Sequence, residues 1–154
     1  MGIEIERKFL VTGTAWRTER PVHVRQGYLS RGAGCTVRVR VAAERGTLTI
    51  KGPTVGATRS EFEYPIPLDE ALELLGLRTG SVVEKRRHAI ELDGLVWEVD
   101  EFLGDNAGLT VAEVELASES QAIAVPPWVG EEVTHDSRYA NAALASAPYR
   151  TWGA

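Results

Sequence analysis

From position 3 to position 116 the chain keeps returning to a two-residue rhythm. IEIERKFL, CTVRVRV, TLTIKG, RSEFEYPI, LVWEVDEFL and LTVAEVEL alternate apolar with charged or polar residues. VHVRQGYL and SVVEKRRHAIEL are β-rich, the second with polar residues on both faces. A period of two belongs to extended strands, whose side chains point to opposite faces in turn. The connections are short and built from turn residues such as AAERG, DG and GDNAG. Eight strand candidates joined in this way make one antiparallel sheet or barrel. Helices are few. PLDEALELLGL sets Leu68, Leu72 and Leu75 on one face and offers Gly76 as a C-cap, while DSRYANAALASAP reads as a terminal helix from an Asp136 N-cap to Pro148. A short helical turn is expected over 15–18, a hairpin loop at the GAG of 32–34, and a loop at the PPW of 126–128. With 154 residues and no linker or repeat, the chain is expected to form a single domain over 1–154.

Sorting the strands by parity puts long charged side chains of both signs on one face, strand after strand. The first carries Glu4, Glu6 and Lys8, the third Arg38 and Arg40, the fourth Thr49 and Lys51. The fifth carries Arg59, Glu61 and Glu63, the seventh Glu98 and Asp100, the eighth Glu113 and Glu115. The second offers His23 and Arg25, the sixth Lys85 and Arg87. Residues two apart on a strand sit about 7 Å from each other, so each set is a local cluster. A sheet with one wet face alternates in the same way. Two features argue for more than a wet face. The charged faces hold few Ser or Thr, and the apolar faces, rich in Val, Ile, Leu and Trp, have only two helices to cover them. An eight-stranded sheet can close, with room inside for side chains or one small ligand. The interior is then either the apolar face or the charged one.

A ligand that wants both signs around it is a phosphate chain with a metal ion. Lys and Arg match phosphate oxygens, Arg bidentately. Carboxylates would repel the same oxygens unless a cation stood between, and Mg²⁺ or Mn²⁺ takes carboxylates and phosphate oxygens together.

Other chemistries lack their residues. The chain has no G-x-x-x-x-G-K-[ST] phosphate loop and no G-x-S-x-G, its three histidines (His23, His88, His135) lack zinc spacing, and its single cysteine, Cys35, forms no disulfide framework. The formal net charge of −5 sets it apart from general nucleic-acid binders, which carry a basic excess. No apolar run reaches the ~18 residues of a membrane span, and the N-terminus is acidic where a signal peptide is basic, as expected of a cytoplasmic protein with no membrane partner.

The stretch EIERKFLV resembles the ExExK signature of the CYTH superfamily, the triphosphate tunnel metalloenzymes. The likeness continues in order through RQGYL, VRVR, LTIKG, RSEFEY, the K-x-R of Lys85 and Arg87, WEVDEFLGDNAGL, VAEVEL and VTHDSRYANAAL. It implies a mainly β fold, an eight-stranded closed antiparallel barrel with a few peripheral helices around a charged tunnel. It also implies a small-molecule triphosphate substrate, most of all inorganic tripolyphosphate, hydrolysed with Mg²⁺ or Mn²⁺. Adenylate cyclase, thiamine triphosphatase and a non-catalytic polyphosphate or nucleotide sensor are the alternatives on the same site. By the resemblance, Glu4, Glu6, Glu113 and Glu115 would bind metal. Lys8, Arg38, Arg40, Lys51, Lys85 and Arg87 would hold the phosphates, with Arg25 and Arg59 extending the cradle. Glu61 and Lys85 are candidates for the chemistry. Tyr28 is a third, but it falls opposite Arg25 and reaches the interior only if Gly27 makes a bulge. A barrel with a polar interior leaves apolar residues outside, so a homodimer is expected.

Overall fold

The structure, a computed structural model, describes residues 2–32 and 34–153. Eight strands form a closed antiparallel barrel: β1 (Ile3–Val11), β2 (Val22–Arg31), β3 (Thr36–Ala42), β4 (Arg45–Lys51), β5 (Thr58–Ile66), β6 (Thr79–Leu92), β7 (Leu95–Leu103) and β8 (Thr110–Glu115). Around the wall the order is β5-β4-β3-β2-β6-β7-β8-β1, and Glu4 opposite Arg59 closes the ring between β1 and β5. The turn between β6 and β7 is Asp93–Gly94, both at positive φ, the conformation that a two-residue Asp-Gly hairpin needs. The GAG segment lies between β2 and β3, and its Ala33 falls outside the described residues.

A short ninth strand, β9 (Val129–Glu132), was not expected from the sequence. Its four residues are too few to show a period. It pairs with the far half of β1, beyond the residues that pair with β5, and the Arg7 guanidinium holds Glu132 through two hydrogen bonds of 2.9 and 2.7 Å. The helices also depart from the sequence reading. In α1 (Leu68–Gly76) the buried residues are Ala71 and Leu75, Leu72 is exposed, and the helix ends through Leu77 at an ordinary φ of −92° rather than on a left-handed Gly76. The terminal helix is broken into a 3-10 turn, Ser137–Tyr139, and α2 (Asn141–Ser146), because Ala140 takes an extended conformation between them. Asp136 does cap the first piece, accepting from the Arg138 amide. Near 15–18 there is a turn at Ala15 and Trp16 and no helix.

The apolar side chains form three separate cores. Outside β1, β7 and β8, the side chains Phe9, Trp97, Val99, Ala112 and Val114 are covered by Trp16, Leu116 and Trp128 from the flanking loops. Outside β3, Val39 and Val41 are covered by Ala71 and Leu75 of α1. Gly46 permits that contact, since a Cβ there would lie 2.5 Å from the Ala71 methyl. The third core lies at one end of the barrel interior. Val83, Phe102 and Val111 have the parity of Lys85, Asp100 and Glu113, and with Leu109 they pack on Leu144 and Ala145 of α2. Gly80, at φ +73°, lets α2 seat on β6, because a Cβ would meet the Ala145 carbonyl at 2.5 Å. Each buried Val, Leu or Phe among them contributes about 1.5–3 kcal/mol by its burial. The barrel is therefore held from outside and from one end, which leaves the rest of its interior free for charge. Among the described residues, no helix is long and apolar enough to cross a membrane.

Candidate active site

The charged parity faces inward. Pairing between neighbouring strands aligns Glu6 with Glu115, Lys8 with Glu113, Glu98 with Glu113, Arg87 with Asp100, Arg38 with Thr49 and Lys51 with Glu61, and cross-strand partners share a face. They enclose a cavity of about 240 Å³ bordered by seven cations and seven carboxylates. The cations are Lys8, Arg38, Arg40, Lys51, Arg59, Lys85 and Arg87. The carboxylates are Glu4, Glu6, Glu61, Glu63, Glu98, Glu113 and Glu115. A second opening of about 250 Å³ shares Glu6, Lys8 and Arg59 and is bordered by Thr134, His135 and Asp136.

Arg25 is a correction. It pairs with Val41 and Glu84, residues of the outer face, so it points away from the cavity together with His23, which bonds Glu84. The inward residues of β2 are the even ones: Gln26 opposite Arg40 and Tyr28 opposite Arg38. Tyr28 therefore borders the cavity on the same parity as Gln26; the β2–β6 register does shift between these two residues, but the extra residues lie on β6, so the alternation of β2 itself runs unbroken through Gly27. The β2–β3 register shifts only after it, between Tyr28 and Ser30.

The ion pairs divide the cavity into two sides. On one, the Lys51 amine reaches both Glu4 oxygens at 3.1 and 3.2 Å and Glu61 at 3.2 Å. On the other, Asp100 accepts from Lys85 at 2.8 Å and from Arg87 at 2.7 and 2.8 Å, and Arg87 also reaches Glu98 at 3.3 Å. Lys85 and Asp100 are almost wholly buried. Two cations keep a hydrogen-bond donor in reserve. Among the described residues, Arg38 Nε and Arg59 Nε are buried without a hydrogen-bond partner. A buried guanidinium N–H without an acceptor is costly, and an anion in the cavity would relieve it.

The proton affinities follow the same division. Burial pushes Glu6 up to about 8, helped by Glu113 and resisted by Lys8. Burial and the hydrogen bond with Glu61 raise Glu4 against the pull of Lys51, and burial with Glu4 raises Glu115. Glu113 goes the other way. Burial opposes its charge, yet Lys8, Arg87 and Lys85 hold its carboxyl well below the usual range. Among the cations, burial and then Arg38 and Arg87 bring Arg40 down to about 10. Burial, against Asp100 and with Arg87 and Arg40, brings the Lys85 amine down to about 7.

The sequence model of the CYTH domain matches residues 2–146. The chain belongs to the CYTH family. It is 46% identical over 154 residues to a protein named inorganic triphosphatase from Acetivibrio thermocellus, covering 99% of each chain. It is 40% identical over 146 residues to one of the same name from Nitrosomonas europaea, covering 92% of this chain and 96% of the relative. A solved structure described as the inorganic triphosphatase NE1496 superposes with a TM-score of 0.68 at 39% identity, over 92% of this chain and 93% of that one.

CYTH triphosphate tunnel enzymes in general depend on a divalent metal, and the donor set of this CYTH barrel fits one. Glu4, Glu6 and Glu115 share a region where each finds its charge disfavoured, and hard carboxylate oxygens are the ligands such a cation takes. Among the described residues, no three His, Cys, Asp or Glu side chains already converge on one point. Lys51 on Glu4 and Lys8 on Glu6, the latter at 3.6 Å, occupy the oxygens an ion would use. Two residues of the CYTH barrel interior had no signal in the sequence: Asn141, which borders the cavity, and Gln26, which is wholly buried behind it. Gln26 was hidden by the parity given to β2, and Asn141 by its place in a stretch that reads as plain helix. Asp100, noticed on its strand but given no role, ties two of the cavity cations together.

Proposed function

We propose that the protein is a cytoplasmic, divalent-metal-dependent triphosphatase that cleaves inorganic tripolyphosphate to diphosphate and orthophosphate inside the barrel. The observation that carries this reading is the pair of buried, unpartnered guanidinium N–H groups, Arg38 Nε and Arg59 Nε, in a cavity bordered by seven cations. The names of the two relatives support it. Lys8, Arg38, Arg40, Lys51, Arg59 and Arg87 would hold the phosphate oxygens. Glu4, Glu6, Glu113 and Glu115 would hold Mg²⁺ or Mn²⁺. When bound, such a cation supplies charge neutralisation between the acids and the phosphates.

Water attacks the terminal phosphorus and forms the new P–O bond. The bond to the bridging oxygen breaks, and its electron pair leaves with diphosphate. The water's proton passes to Lys85, whose amine is neutral above about pH 7 and so matched to proton transfer near neutrality. Tyr28 holds the attacking water beside it, and Glu61 keeps Lys51 turned toward the substrate. Arg87 and Arg40 stabilise the charge that develops on the leaving group.

A bare chain is favoured over a nucleotide. The cavity, about 240 Å³, lies below the roughly 300–1,000 Å³ of pockets that take drug-sized ligands. The test is phosphorus NMR of the protein with tripolyphosphate, ATP or thiamine triphosphate and Mg²⁺ or Mn²⁺. Orthophosphate and diphosphate should appear from tripolyphosphate with the highest kcat/KM, and Glu6→Gln should abolish turnover while keeping the fold. No product, an equal or higher value for ATP, or cyclic AMP among the products would overturn the reading.

A further inference from the structure

We infer that Asn141 is a positioning residue of the barrel cavity, whose side-chain oxygen aims the Lys85 amine and, through Gln26, the Arg40 guanidinium. Asn141 is the first residue of α2, and the cap position before it is held by Ala140, whose methyl group cannot cap. An Asn does most for a helix one place earlier. This one turns into the barrel and borders the cavity. Its Oδ1 accepts from Lys85 Nζ at 2.9 Å and from Gln26 Nε2 at 2.9 Å. Gln26, wholly buried, accepts through Oε1 from Arg40 Nε at 2.9 Å.

The direction of this chain is forced from both ends. A guanidinium only donates, so the Gln26 oxygen must face Arg40 and its amide nitrogen must face Asn141. Asn141 then presents oxygen to Gln26, and the same oxygen meets Lys85. A neutral Lys85 amine has two N–H bonds and one lone pair. Asp100 at 2.8 Å and Asn141 take the two N–H bonds, which leaves the lone pair the remaining tetrahedral direction. Without Asn141 the amine can rotate about its Cε bond, and the lone pair is spread over several directions. The charged groups that face Lys85 are Asp100 from β7, Arg40 from β3, Glu113 from β8 and Arg87 on its own strand. None of them duplicates the Asn141 oxygen, and Asn141 alone among these contacts comes from the C-terminal segment. The segment that closes the barrel end thereby also sets its chemistry. This rests on the reading of Lys85 as proton acceptor.

The test compares Asn141→Leu, which keeps the volume and loses the acceptor, with Asn141→Asp, which keeps an acceptor and adds charge. Three quantities are read: kcat and KM for tripolyphosphate with saturating Mg²⁺ across pH, the pH titration of the Lys85 NMR signal in substrate-free protein, and the melting temperature. Asn141→Leu should lower kcat about tenfold or more, with KM changing less, because a buried donor loses its partner and its direction. Asn141→Asp should raise the Lys85 titration by about one pH unit or more, since an added carboxylate favours the charged amine. Its rate should be low near pH 7 and recover toward about pH 9, which the Leu variant cannot do. Wild-type kcat in Asn141→Leu, or a Lys85 signal that titrates alike in wild type and Asn141→Asp, overturns the inference. A Lys85 signal that shifts while the acid limb of the rate stays fixed upholds the contact and removes Lys85 as the base. If Asn141→Leu does not fold, the Asp variant and its Lys85 titration still decide.

Discussion

Replacing Asp100 by Asn would take one negative charge and almost no volume out of the most crowded point of the barrel wall. Asp100 is fully buried and accepts from Lys85 at 2.8 Å and from Arg87 at 2.7 and 2.8 Å. The Asn amide can accept from one of these cations but must point its NH₂ at the other. The buried cations then lose their counter-charge, and breaking a buried pair from one side costs about 3–5 kcal/mol. For a chain of this length each kcal/mol lowers Tm by about 2–4 °C, so metal-free Asp100→Asn should melt about 6–20 °C below wild type. Two controls isolate the cause. Lys85→Met combined with Asp100→Asn should melt higher than the sum of the single losses allows, because one orphaned charge has gone. Tripolyphosphate should raise the Tm of Asp100→Asn by more than that of wild type, since the anion restores negative charge beside Lys85 and Arg87. The assay is thermal melting followed by circular dichroism at low salt and about pH 6, below the value of about 7 to which burial brings Lys85, so that both cations are charged. A loss below about 2 °C, or strict additivity in the double variant, would refute the idea that Asp100 compensates two buried cations.

Three further outcomes are expected. Because burial brings Lys85 to about 7, against Asp100 and with Arg87 and Arg40, kcat/KM should rise with pH and level off above about pH 7. That folded value lies below the ~10.4 of an unfolded lysine, so between the two the unfolded chain holds the extra proton and this group's contribution to stability grows with pH; a flat rate profile from about pH 6 to 9 would remove Lys85 from the chemistry. Arg38→Ala should raise KM for tripolyphosphate about tenfold or more, whereas Arg25→Ala, on the outer face, should leave kcat/KM within about twofold; steady-state kinetics decide, and equal effects would mean that β2 is read in the wrong register. We propose that the protein dimerises through the outer face of β1 and β5, where Ile3, Phe62 and Tyr64 are 62%, 48% and 52% exposed. Light scattering should give twice the chain mass, and Phe62→Lys should give one; a wild-type monomer removes the proposal.

The candidate site was readable wherever a strand gave each face a different chemistry. In β3, Val37, Val39 and Val41 against Arg38 and Arg40 leave one assignment, and the same holds for β1, β7 and β8. In β2 it fails. VHVRQGYL offers His23 and Arg25 on one parity and Gln26 and Tyr28 on the other, so polarity cannot choose, and the side chosen on charge was the outer one. Asn141 fails for a different reason. In a run of small residues that reads as one helix capped at Asp136, Asn141 falls mid-helix, and nothing local says that its side chain faces Lys85, 56 positions away.

The sequence by itself determined eight of the nine strands, their antiparallel character and the segregation of charge to one parity, because a two-residue period is written into each of these strands separately. It could not determine which parity lies inside. That depends on whether the apolar faces find cover, and the cover comes from far along the chain: Trp16 and Trp128 over Trp97, α1 over Val39, and α2 as a plug on Phe102 and Val111. Only the assembled barrel decided that these three were enough. With the apolar side chains satisfied outside and at one end, the interior was left to cations and carboxylates. Lys85 and Arg87 on β6 are compensated by Asp100 on β7, and the pair of Lys51 on β4 with Glu4 on β1 exists only once the ring between β1 and β5 is closed.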